Sequence, residues 1–289
     1  MRYSGNIFRP PSEADSLLIQ ITIGCSHNRC SFCAMYRDKE FRVRPVDEVL
    51  EDIALARDYC GQEVRRVFLC DGNALILPMP YLLKVLAGLH QSFPELQRVG
   101  VYANARDIAH KSDEDLRELV RHKLSIFYLG MESGSDEILK QIDKGATSAE
   151  MVAAVQKATA AGMKSSVIYL LGMGGRKLWR ENAVESARAV SQMNPNYLSA
   201  LTVTVVPGTP LAEQVKSGEF ELPSPEEFAA ELRLFLENVT VKATVFRSNH
   251  ASNYVPLEGR LPKDKARMVA ELDAAICHHH FKPEYLRGL

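Results

Sequence analysis

The stretch Leu17-Leu18-Ile19-Gln20-Ile21-Thr22-Ile23-Gly24-Cys25-Ser26-His27-Asn28-Arg29-Cys30-Ser31-Phe32-Cys33 joins an apolar run to a loop carrying three cysteines. Three thiolates so close together always leave one over if they pair as disulfides, but they can converge on one soft-metal centre. A [4Fe–4S] cube needs a ligand on each of its four irons, so three local cysteines leave one iron open. An open iron can take a substrate or cofactor, and the loop therefore reads as catalytic before it reads as structural. Two plainer readings stay open. A structural zinc site would want four protein ligands, often from paired Cys-x-x-Cys knuckles or Cys/His partners. No second knuckle exists here, and His27 sits inside the loop. The thiols could also be packed without any ligand. Cys60, Cys70 and Cys277 occur singly, in or beside apolar runs, where a buried thiol behaves as a small hydrophobe.

Outward from this loop, apolar runs alternate with helical patterns to about residue 205. Strands are expected at Leu17–Ile23, Val64–Cys70, Arg98–Ala103, Ser125–Met131, Lys164–Leu171 and Tyr197–Val205. Most are near-continuous Val/Ile/Leu/Phe/Tyr runs, as parallel strands buried on both faces should be. Helix signals fall between them. Pro45 and Asp47-Glu48 open an apolar face of Val46, Val49, Leu50, Ile53 and Ala54. Ser112–Asp115 and Thr147–Glu150 have the form of capping boxes, and Gly162 is a stop signal. Repeated strand–helix units demand right-handed crossovers and a parallel sheet, but six units are too few for a closed eight-strand barrel. The expected fold is α/β, an open partial (β/α)6 barrel with a C-terminal α/β appendage. Residues 1–15 read as an N-terminal extension, 16–220 as the core and 221–289 as an extension covering the active site. The appendage should hold a helix opened by Pro225, a strand over Thr240–Phe246 and a last helix from Lys263 to Ile276. Ligands should lie at the carboxyl ends of the strands, where the cysteine loop leaves the first of them.

The 289 residues are 46% hydrophobic and 25% charged, with a net charge of −1. That balance gives no general attraction to nucleic acid or to an anionic membrane, and no nucleic-acid partner is expected. No apolar run approaches the length of a membrane span, so no membrane association is expected either. The N-terminus has no signal-peptide pattern. Six cysteines without an export signal suit a reducing cytoplasm.

A six-unit α/β chain with a tri-cysteine loop after its first strand resembles the radical S-adenosylmethionine (radical SAM) superfamily, over about residues 15–215. Phe32 matches the aromatic favoured beside the last cysteine. The spacing here is Cys-x4-Cys-x2-Cys, one residue longer than the usual Cys-x3-Cys-x2-Cys. After the second strand, Asp71-Gly72-Asn73 stands where the family commonly has Gly-Gly-Glu. Gly130-Met131-Glu132-Ser133-Gly134-Ser135-Asp136, Leu171-Gly172-Met173-Gly174-Gly175 and Val206-Pro207-Gly208-Thr209-Pro210-Leu211 resemble segments of the coproporphyrinogen-oxidase and methylthiotransferase branch. The resemblance implies a [4Fe–4S] cluster on Cys25, Cys30 and Cys33. It implies SAM contacts from Phe32, Asp71, Gly72, Asn73, Asn104, Glu132, Ser133, Leu171, Gly172, Val206 and Pro207. It also implies oxygen-sensitive chemistry needing anaerobic handling and an electron donor such as flavodoxin or ferredoxin. SAM would be cleaved reductively to a 5′-deoxyadenosyl radical, which abstracts hydrogen from a substrate carbon. Taken alone, each auxiliary segment has a plainer reading: a glycine turn at Gly174-Gly175, a type II turn at Pro207-Gly208, a helix-capping acid in Glu132.

The substrate should be read by the C-terminal extension. In Phe246–Tyr254, Arg247, Asn249, His250 and Asn253 could build a polar pocket, or the segment could be a solvated loop with local side-chain turns. Cys277-His278-His279-His280 reads as a surface run rather than a metal site, since consecutive helical residues do not share a face. The expected substrate is a small metabolite or cofactor precursor. Modification of tRNA or a peptide, and a non-catalytic iron–sulfur electron carrier, are the alternatives. The chain shows no appended RNA-binding domain and no second cysteine set for an auxiliary cluster.

Overall fold

The computed structural model describes residues 1–288. Met1–Asn28, Met35–Leu129 and Lys157–Ser165 form one compact unit, and Arg29–Ala34, Gly130–Gln156 and the chain from Ser166 form another. The first unit holds β1 (Leu17–Gln20), β2 (Thr22–Ile23), β3 (Arg42–Val43), α1 (Val46–Cys60), β4 (Arg66–Cys70) and α2 (Met79–Ser92). It continues with β5 (Arg98–Tyr102), α3 (Ala105–Ala109), α4 (Asp113–Arg121) and most of β6 (Leu124–Glu132). β1 pairs in parallel with β4 (Leu17 opposite Val67), β4 with β5 (Val67 opposite Val99) and β5 with β6 (Val101 opposite Phe127). Val67, Phe68, Leu69, Val99, Val101 and Phe127 are wholly buried, which is why these strands carry apolar residues on both faces. The Ser112 box forms as expected, with Ser112 Oγ accepting from Asp115 N at 3.0 Å and Asp115 Oδ2 accepting from Ser112 N at 2.8 Å.

The first expected strand is shorter than its apolar run. The chain turns at Ile21, whose N–H bonds Cys70 O while its carbonyl accepts from Arg44 N. Thr22–Ile23 then pairs antiparallel with Arg42–Val43.

In the second unit lie α5 (Asp136–Gln141), the start of α6 (Ser148–Ala160), most of β7 (Lys164–Leu171), α7 (Gly175–Met193) and β8 (Tyr197–Thr202). They are followed by α8 (Pro210–Ser217), α9 (Pro225–Asn238), β9 (Thr244–Arg247), β10 (Glu258–Leu261) and α10 (Lys265–Cys277). β7 and β8 run parallel, Ser166 opposite Tyr197 through Leu171 opposite Thr202. The C-terminal stretch extends this series. β9 pairs in parallel with β8, Leu198 opposite Phe246, and β10 returns antiparallel along β9, Glu258 opposite Arg247. The strand expected from Thr240 begins only at Thr244 because pairing starts where β8 starts. There Thr244 Oγ1 donates to Pro195 O and Val245 N to Asn196 O. On β10 the backbone groups of Glu258 and Arg260 bond α10 and the turn before it. Arg267 donates to Glu258 O at 2.7 Å, Arg260 N to Asp264 Oδ2 at 2.7 Å, and Asp264 N to Arg260 O at 2.8 Å.

The fold is thus α/β with parallel strands in each unit; β1 pairs with β4 and β10 with β9. Among the described residues no helix is long and apolar enough to cross a membrane.

Candidate functional site

In the first unit, the carboxyl end of β4 grips the entry to the cysteine loop. Asp71 is fully buried. Its Oδ2 accepts from Gln20 Nε2 at 3.1 Å, Gly24 N at 3.2 Å and Lys39 Nζ at 3.0 Å. Lys39 is itself 5% exposed at its side chain, so this is a buried ion pair clamped on the residue before Cys25. Gly72 lies against Cys25, and a Cβ there would stand 2.6 Å from Cys25 Cα. Only glycine allows this approach. Asn73 is buried; its Oδ1 accepts from Ser26 N at 3.0 Å and its Nδ2 donates to Ser26 Oγ and Asp107. Asp107 in turn accepts from Asn104 N at 2.8 Å. Burial pushes the Asp107 carboxyl up to about 6, against the hydrogen bonds that favour its charge. Asp71 thus anchors one cluster of bonds on Gly24, and Asn73 a second that runs through Asp107 to the Asn104 backbone. Lys39 in the first cluster and Asp107 in the second were not legible beforehand, since neither lies in an apolar pattern or a motif.

Cys25 belongs to the first unit and Cys30 and Cys33 to the second. Cys33 N donates to Cys30 O at 3.2 Å, placing those two on one turn. All three are half-buried and none is in a disulfide. Among the described residues no set of three His, Cys, Asp or Glu side chains is gathered tightly enough to hold a metal ion. The donor chemistry nevertheless fits an iron–sulfur cluster, being three accessible thiols on one loop without competing carboxylate or histidine sets.

In the second unit the strand-end segments have distinct jobs. Glu132 ends β6 at φ 64°, an uncommon conformation for a residue with a side chain. Its carboxylate pairs with Lys144 at 3.0 Å, both side chains being about nine-tenths buried. Ser133 is buried, and its Oγ accepts from Ser135 N. Gly134 lies against α7, where a Cβ would meet Glu185 O at 2.2 Å. Leu171 and Gly172 are buried, and Val206 O caps the turn before α8 by accepting from Thr209 Oγ1 at 2.7 Å. Pro207 is exposed. Ser31 N donates to Ile142 O and Leu211 N to Ser31 O, tying the cysteine loop to α5 and α8. A cavity of about 530 Å³ opens here, lined by Ser31, Met173, Gly174, Gly175, Leu211 and Phe220 among others.

One residue outside every motif organises this region. Glu231 on α9 is fully buried. It accepts from Tyr169 O–H at 2.7 Å, Asn182 Nδ2 at 2.7 Å and Gly172 N at 3.0 Å. Desolvation pushes its carboxyl up to about 7 in spite of these three donors. The available signal was its place beside Phe228, Leu232 and Phe235 on the apolar face of α9.

The four residues expected to read the substrate are not gathered into one pocket. Arg247 and Asn249 are exposed, and Asn249 Nδ2 donates to Glu258. His250 Nδ1 bonds Ser252. Asn253 is buried and its amide is used within the fold, donating to Ala200 O and Ser248 O and accepting from Thr202 Oγ1. The segment is ordered by local bonds at His250 and Ser252 and by bonds from Asn253 and Ser252 to β8.

The sequence profile of the radical SAM superfamily matches residues 19–187, more than half of the chain. The chain belongs to the radical SAM superfamily. Members of this superfamily are enzymes that work with a [4Fe–4S] cluster and SAM, so the electron-carrier reading gives way to an enzyme. This radical SAM chain is 26% identical over 217 residues to the tRNA-2-methylthio-N(6)-dimethylallyladenosine synthase of Haemophilus ducreyi. That match takes in 71% of the chain and 44% of the relative, so the chain spans less than half the length of that protein. Among solved structures, methylornithine synthase (PylB) matches at 17% identity and a TM-score of 0.54, covering 89% of this chain and 68% of that one. Coproporphyrinogen III oxidase (HemN) from Escherichia coli matches at 17% identity and a TM-score of 0.56, covering 77% and 52%. At these identities the structures bear out the fold alone.

Proposed function

We propose that this radical SAM enzyme holds its cluster on Cys25, Cys30 and Cys33, leaves the fourth iron to SAM, and modifies a small metabolite or cofactor precursor. When bound, the cluster and SAM would supply, with one electron from an external donor, the radical chemistry needed to take hydrogen from a substrate carbon. The observation that carries the site reading is the convergence of Ser31, Met173–Gly175 and Leu211 on one cavity. These come from three segments singled out by motif, and the volume is of the order that holds a cofactor-sized ligand. Asp71, Asn73 and Asn104 act by fixing the loop and strand ends, and Gly72 by letting the backbone approach Cys25. Phe32, Glu132, Ser133, Leu171, Gly172, Val206 and Pro207 would shape the SAM side. Residues 16–220 would be the catalytic core and 221–289 the extension that selects substrate, since the segment after β9 leaves the sheet at the same end as the one after β8. A flavodoxin- or ferredoxin-like donor in the cytoplasm would supply the electron.

A second reading has an observation of its own. The curated relatives carry names of tRNA-modifying synthases, which supports RNA as substrate against the expectation that nucleic acid plays no part. The deciding experiment is anaerobic. Reduced, cluster-loaded protein is given SAM, and 5′-deoxyadenosine is measured alone, with the small-molecule fraction of a cell extract, and with total tRNA. Stimulation by the small-molecule fraction supports the first reading, and stimulation by tRNA the second. No 5′-deoxyadenosine under any condition from a fully loaded, reduced cluster would sink both.

Glu132→Ala is expected to weaken SAM binding by on the order of tenfold, ~1.4 kcal/mol, with cluster content unchanged. Lys144, left without its carboxylate, would also shift the turn after β6. Equilibrium dialysis with labelled SAM on cluster-loaded protein measures this, and an affinity equal to wild type would remove Glu132 from the site.

A further inference from the structure

We propose that Glu231, on helix α9, is a positioning residue for the SAM site: its carboxylate holds the Gly172 turn, and through it the Met173–Gly175 wall of the cavity. This rests on the reading of that cavity as the cofactor site. Gly172 has φ +85°, and a Cβ there would stand 2.3 Å from Phe228 of the same helix. The turn is thus pressed against α9 with no room for a side chain. Its N–H is satisfied by Glu231 Oε1 and Oε2, at 3.2 and 3.0 Å. Its carbonyl accepts from Gly175 N at 3.0 Å, and Leu171 O accepts from Val203 N at 3.0 Å. Both carboxylate oxygens are spent on Tyr169, Asn182 and Gly172. The donors are all neutral and the group is fully buried, which is costly unless every oxygen is used.

The isosteric Glu231→Gln substitution tests the role: Tyr169 and Asn182 both donate to Oε1 and hold the oxygen there, so the new N–H₂ takes the Oε2 place and Gly172 N–H keeps only the longer 3.2 Å contact. A buried donor left unpaired loses its partner without regaining water. In wild-type protein without SAM, the Gly172 amide should exchange slowly with solvent deuterium. In Glu231→Gln it should exchange at least tenfold faster, SAM affinity should fall by about tenfold, and cluster content should stay at the wild-type level. Tyr169→Phe removes one donor to Glu231 but leaves the Gly172 bond, so its SAM affinity should stay within about twofold of wild type. Equal loss of affinity in both variants would point to general destabilisation and overturn the proposal. So would unchanged affinity in a cluster-loaded Glu231→Gln protein. If Glu231→Gln does not fold, wild-type exchange decides: a slow Gly172 amide supports the clamp, and a freely exchanging one overturns it. If loaded wild-type protein binds no SAM, the cofactor reading of the cavity falls, whereas the exchange data still decide whether Glu231 holds the turn.

Discussion

Anaerobically reconstituted protein is expected to lose its [4Fe–4S] cluster completely on replacement of Cys25, Cys30 or Cys33 by alanine, one at a time. On the proposed set of three protein ligands for four irons, no spare thiolate can stand in for a missing one. The other cysteines are placed too poorly to substitute. Cys60 and Cys277 are exposed at the last residues of α1 and α10. Cys70 is buried in β4, where desolvation pushes its thiol up and disfavours the thiolate that iron requires. Alanine at each of these three should leave iron and sulfide content unchanged. Full occupancy in a Cys25, Cys30 or Cys33 variant would overturn the ligand set, and loss in the Cys277 variant would point to a fourth protein ligand.

The second large effect concerns Asp71. Its removal strips Lys39 of the carboxylate beside which its ammonium is buried, and it takes the acceptors from Gly24 N and Gln20 Nε2 as well. Breaking one partner of a buried pair costs about 3–5 kcal/mol, because the surviving charge has neither water nor counter-ion. Asp71→Ala should therefore lower the stability of the cluster-free protein by that amount in urea melts. It should also reduce cluster loading, since the residue preceding Cys25 is no longer held. A loss below about 1 kcal/mol would mean that Lys39 finds another partner and that the clamp is dispensable.

The contrast between these residues shows what a sequence can carry. The strand at Lys164–Leu171 was readable to the residue because its second half, Val167–Leu171, is an apolar run and the whole is bounded by a helix stop and a glycine turn. Ser112 and Thr147 announced their helices because capping is local: Glu150 N bonds Thr147 Oγ1 three residues away. The break at Ile21 was hidden, since it depends on pairing with Arg42–Val43, a short exposed stretch with no strand pattern. Glu231 and Asp71 look like any acidic residue until partners tens of residues distant surround them. Asn253 misled in the opposite direction. A cluster of amides reads as a pocket, yet its hydrogen bonds are spent closing the loop onto β8. The cysteine loop was visible because three ligands fit within a few residues, whereas its supports come from other strands.

The last strand has a consequence beyond the chemistry. A bare sheet margin invites another chain to add itself as one more strand. β10 offers little of that invitation, because Glu258 O, Arg260 N and Arg260 O are all engaged by Arg267 and Asp264 of the same chain. A protein that must wait for its metal with part of its loop unliganded is thereby spared one common route to self-association during the wait.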